Sequence, residues 1–79
     1  MMDTIGTRWY GNTTKDGIRA SIYFGSRSSD DGKVTVYGYH AELLHDGGVA
    51  LIPKKLGFYR TKAEAILRLK NEYPEISFE

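Results

Sequence analysis

The sequence predicts an α+β fold: an antiparallel β-meander of four to five strands packed against one C-terminal helix, in a single domain over residues 1–79. Three features predict it. Asp-Gly dipeptides at Asp16-Gly17, Asp31-Gly32 and Asp46-Gly47 punctuate the first two-thirds of the chain. Asp-Gly between apolar runs signals a hairpin, because both residues tolerate positive φ. The segments between these turns alternate apolar and polar residues, the period of two that marks a half-buried strand. A helix-start signature followed by apolar residues at helical spacing stands near the C-terminus.

The first strand is expected over about 7–12, ahead of the first turn. In the second, about 18–26, Ile18, Ala20, Ile22 and Phe24 alternate with Arg19, Ser21, Tyr23 and Gly25, giving one buried and one exposed face. Ser26 to Gly32 makes the polar tip that follows. The third strand, about 33–44, begins Lys33-Val34-Thr35-Val36-Tyr37 and runs through Tyr39, Ala41 and Leu43. Gly38 interrupts it, which predicts a bulge or a close backbone approach and a point where the buried parity can switch. The fourth strand, about 49–53, is the apolar run Val49 to Ile52, stopped by Pro53, which has no N–H for a ladder and marks a strand end or an edge. At Thr61-Lys62-Ala63-Glu64 the threonine hydroxyl and glutamate carboxylate form a capping box that opens a helix over about 62–73. Ile66, Leu69 and Tyr73 recur on one face of that helix, with Ala63, Ala65 and Leu67 beside them, while Arg68, Lys70 and Glu72 face water. Pro74 ends it, and Ile76-Ser77-Phe78 alternates as a short edge strand would. An exposed edge such as Val49 to Ile52 leaves a monomer or a homodimer open.

Composition bounds the function. Hydrophobic residues at 41% and charged residues at 27% match soluble globular domains and exclude a disordered chain. The absence of cysteine excludes a disulfide framework, a thiolate metal site and a cysteine nucleophile, and favours a reducing, cytoplasmic home. Met1 to Trp9 carries Asp3 and no apolar run, and no stretch approaches the roughly 20 apolar residues of a membrane span, so no membrane partner is expected. A formal charge of +1 supplies no global field for nucleic acid. The charge is unevenly placed: Lys54, Lys55, Arg60, Lys62, Arg68 and Lys70 stand against Glu64 alone, which leaves the rest of the chain acidic.

No motif fixes a chemistry. His40, Glu42, His45 and Asp46 are the one cluster of metal-ligand or acid-base types, but it runs into the Asp46-Gly47-Gly48 turn, where polar residues belong anyway. Serine triads drawn from Ser26, Ser28 or Ser29 with His40 and Asp46 lack a nucleophile elbow. The glycines form no phosphate-binding signature. A non-enzymatic protein without cofactor or metal is therefore expected.

Two features point instead to binding. Trp9, Tyr10, Tyr23, Tyr37 and Tyr39, with Arg19, concentrate on strands, several opposite the expected core positions. Such a face can stack unpaired bases or anchor a protein partner, since Tyr, Trp and Arg dominate hot spots. Tyrosine also suits a strand on propensity alone. The second feature is Lys54-Lys55-Leu56-Gly57-Phe58-Tyr59-Arg60-Thr61-Lys62, a basic loop with interleaved aromatics leading into a helix start, which can grip phosphates or simply plug the core with Leu56 and Phe58. The candidate binding residues are thus Arg19, Tyr23, Tyr37, Tyr39, Lys54, Lys55, Arg60 and Lys62.

The strand order ending in Gly57-Phe58-Tyr59-Arg60-Thr61-Lys62-Ala63-Glu64-Ala65 resembles, over residues 33–73, the three-stranded-sheet-plus-helix domains that precede tyrosine recombinase catalytic domains in phage integrases, and AP2-type domains. That resemblance implies duplex DNA against the sheet, with Tyr37, Tyr39, Lys54 and Lys55 facing it. In size and style the chain also resembles the small accessory proteins of phages and mobile elements, including anti-CRISPR inhibitors. This implies steric binding to a host protein or protein–nucleic acid complex, with direct DNA or RNA binding as the alternative.

Overall fold

The computed structural model describes residues 4–15 and 17–78. Its elements are β1 (Arg8–Asn12), β2 (Ile18–Ser28), β3 (Thr35–Asp46), β4 (Leu51–Tyr59), α1 (Lys62–Glu72) and β5 (Ser77–Phe78). The strands form one antiparallel sheet in the order β4-β3-β2-β1-β5. The fold is the α+β meander that the sequence predicts. Of the three expected turns, Asp16 lies outside the described residues, although Gly17 has φ +78°. Gly32 has φ +71°, and the Asp31 carboxylate accepts hydrogen bonds from Ser29 and the Lys33 amide. In the third turn the positive φ falls on Gly48, at +93°, whose amide donates to the Asp46 side chain.

The alternation on β2 places Ala20, Ile22 and Phe24 on the side that α1 covers. Opposite them in register on β3 stand Leu43, Ala41 and Tyr39. Gly38 neither bulges nor switches the parity: Gly25 faces Gly38, and the register runs unbroken from Ile18 and His45 to Ser28 and Thr35. Close approach is what requires this glycine. A Cβ at Gly38 would lie 2.6 Å from the Tyr59 carbonyl oxygen and 2.7 Å from the Phe58 ring.

The bulge lies in β4, where Ala41 faces Gly57 but Glu42 faces Lys55, leaving Leu56 as the extra residue. Leu56 packs against the core. The expected end at Pro53 is therefore corrected: β4 continues through it to Tyr59, and the segment expected as a basic loop is mostly strand. Because β4 is the sheet edge, a missing N–H interrupts little.

α1 begins at Thr61, whose hydroxyl accepts the Glu64 amide at 3.2 Å and lies 3.1 Å from the Glu64 carboxylate. Glu64 thus serves the cap, and Arg68 pairs with Glu72 at 2.8 Å. The Arg68 hydrogen bond holds the Glu72 carboxyl below its ordinary value. A depressed carboxyl stabilises the fold above its unfolded pKa, and that contribution fades as the pH falls through the folded value.

Ala65 and Leu69 are fully buried against Ala20, Ile22, Ala41 and Leu43, with Ile76 closing the cluster. Alanines on helix and sheet let the two layers approach closely. After Pro74 the chain crosses to the far edge, where Phe78 pairs with Gly11. No helix among the described residues is long and apolar enough to cross a membrane.

Leu69→Ala should lower the unfolding free energy in urea by about 2–5 kcal/mol, since it opens a cavity at the centre of the helix–sheet contact. Leu67→Ala, on the exposed side of the same helix, should shift the midpoint little.

Candidate binding site on the uncovered sheet face

A single helix covers a single side, so the alternate residues of every long strand face outward together. On β2 these are Arg19, Ser21, Tyr23, Gly25 and Arg27, and on β3 Val36, Gly38, His40, Glu42 and Leu44. Cross-strand pairing lines up Arg8, Tyr23, His40 and Phe58 as a row over four strands. Next to it runs a second row of Tyr10, Ser21, Glu42 and Lys55.

The first row is locked by its own contacts. The Arg8 guanidinium carbon lies 4.7 Å from the centre of the Tyr23 ring. From the neighbouring strand on the other side, His40 stacks on Tyr23 at 4.6 Å and 11°. Phe58 then meets His40 edge-on at 4.8 Å. His40 Nε2 lies 3.3 Å from the Ser26 carbonyl oxygen, a contact in which the ring N–H is the donor. The His40 ring also leans over Gly25, and the Phe58 ring over Gly38. Each glycine makes room for an aromatic ring that covers it.

Arg8 ties the first row to the second. Its Nη1 donates to Ser21 at 3.0 Å and to the Glu42 carboxylate at 2.7 Å. Ser21 and Glu42 are buried, at 0% and 5% exposure, although no helix covers them. Burying a carboxylate and a hydroxyl without partners would be costly, and Arg8 satisfies both. At the far end, Arg19 lies 4.9 Å from the centre of the Tyr10 ring. Among the described residues Arg19, Arg27 and Lys55 form no ion pair.

The structure separates the residues that the sequence groups together. Arg19, Tyr23 and Lys55 share the uncovered face. Tyr39 is on the opposite side, packed on Phe24 at 5.1 Å and Trp9 at 6.0 Å. Tyr37 has the parity of Tyr39 and stands 46% exposed on the β2–β3 ribbon. Lys54 faces the helix side opposite Leu43, where it lowers the Glu72 carboxyl slightly. Arg60 lies in the strand–helix connection, and the Lys62 ammonium caps the Trp9 ring at 4.1 Å. The expected sheet face and basic loop are therefore not one surface. His40 and Glu42 do share a face, but His45 has the other parity, opposite Ile18. Among the described residues no group of three or more acidic, histidine or cysteine side chains could hold a metal ion.

No protein-family model, curated protein or solved structure matches the chain. Sequence reasoning missed Arg8, Arg27 and Phe58 as members of this face; the alternation linking Arg8 with Tyr10 was the available signal for the first.

Arg8→Ala should cost about 2 kcal/mol, less than the ~3–5 typical of a fully buried pair because the arginine side chain is 36% exposed. Replacing both partners, as Arg8→Met with Glu42→Leu, should recover most of that loss in a urea titration.

Proposed function

We propose that the chain is a non-enzymatic binding module of phage or mobile-element type, which modulates a host protein complex by occupying its surface with the uncovered sheet face. The observation that carries this reading is the locked row of Arg8, Tyr23, His40 and Phe58. Arginine and aromatic side chains make the strongest interface anchors when their rotamers are fixed before binding, since less entropy is then lost. A patch of about 800 Å² on each partner is the usual scale.

The same geometry weighs against single-stranded bases as the ligand. Base stacking needs an open ring face. Both faces of Tyr23 are occupied, one by Arg8 and the other by His40, so that ring offers a base no open face. Direct binding of duplex DNA remains the second reading, favoured by Arg19, Arg27 and Lys55 on that face without an ion pair among the described residues. Self-association through β4 is disfavoured: Pro53, Lys54, Lys55 and the bulge at Leu56 interrupt its free edge.

A photo-crosslinking residue in place of Arg19 should trap one protein in the native host cells, saturably, while the same residue in place of Leu67 on the helix should trap none. Trapping from the helix position alone would contradict the proposal. Tight binding to duplex DNA that falls steeply between two salt concentrations would instead favour the second reading.

A further inference from the structure

Two shallow depressions of about 300 and 350 Å³ lie end to end on the uncovered face and share Arg27 and Phe58 as walls. The first also takes in His40, Glu42 and Lys55, the second Ser28, Asp30 and Val36. Together they form a groove along β3 from Val36 to Glu42. At ~3.3 Å per residue that is about 20 Å, the span of an extended segment of roughly six residues.

The groove carries charges of both signs rather than running in one sign. Asp30 stands at one end and Glu42, with Lys55 opposite it in register, at the other; Arg27 lines both depressions and the Phe58 ring lies between. Glu42 is already neutralised by Arg8 at 2.7 Å. Arg27, Lys55 and Asp30 form no ion pair among the described residues; the two cations line the first depression together, and there they are the charges an acidic side chain can match. Val36, 46% exposed, and Phe58 supply apolar surface next to them. A phosphodiester backbone, which is negative along its whole length, would meet Asp30 as it tracked the groove. An isolated carboxylate set between apolar neighbours would not.

We infer that this groove is the docking site for an extended segment of the partner protein that carries one acidic side chain between Arg27 and Lys55, flanked by an aliphatic or aromatic residue on Phe58 and Val36. This rests on the binding reading of the same face and names the chemistry of the partner.

The test is a selection from a randomised six-residue peptide display library against the full chain. The enriched sequences should pair Asp or Glu with a neighbouring aliphatic or aromatic residue. A selected peptide with its acid changed to Gln should bind about tenfold more weakly, as expected for one lost charged hydrogen bond. Arg27→Gln with Lys55→Gln should abolish that difference. Arg27→Gln alone, at an exposed ribbon position, serves as a second variant that leaves the fold intact, and it should lose part of it. A pool with no acidic excess, no enrichment at all, or displacement of the peptide by duplex DNA would overturn the inference. If crosslinking from Arg19 persists in any of those cases, the face still binds and only the groove assignment falls; if that crosslinking is absent as well, both fall.

Discussion

One eleven-residue helix has to serve a five-stranded sheet, and it covers only one side. Everything on the other side must find its partners within the sheet. The Arg8 guanidinium is the group that makes this possible. It bonds the two buried polar side chains there and lies over the ring that begins the aromatic row. Among the described residues no buried side-chain nitrogen or oxygen lacks a partner. A face that would otherwise consist of solvated strand positions becomes a set layer of side chains.

That layer is unevenly supported along its length. Over the helix, β2 and β3 have neighbours on both edges. β1 pairing with β2 begins at Arg8 and Tyr23, and β4 pairing with β3 ends at Tyr39 and Tyr59. Beyond those points the ribbon carrying Arg27, Val36 and Tyr37 stands on its own pairing. The groove thus has a rigid end at Glu42 and Lys55 and a more lightly held end at Asp30. A surface built this way keeps its anchors in place while its tip adapts to a partner.

The fold was largely legible because its strongest signals are local. The β2 alternation, the Asp-Gly turns and the Thr61–Glu64 cap each need only a few consecutive residues. The errors come where a neighbouring strand decides the outcome. Pro53 reads equally as a strand end or an edge until β4 is placed at the side of the sheet. Gly38 reads equally as a bulge or a close approach until the Phe58 ring and the Tyr59 carbonyl are known to press on it. The site was less legible for the same reason. Tyr23 and Tyr39 look alike in the sequence but lie on opposite sides, and Lys54 and Lys55 separate for no reason other than alternation. The row from Arg8 to Phe58 draws one residue from each of four strands, so it exists only once the register is set.

If Arg8 sets the uncovered face in advance of binding, its guanidinium must be held still in the free protein, which NMR of its Nη protons reads out. The Nη protons of Arg8 should be resolved and slowly exchanging, with cross-peaks to the Tyr23 ring and restricted motion relative to Arg19. A single averaged signal, rotating as freely as that of an exposed arginine and showing no contact with Tyr23, would contradict it.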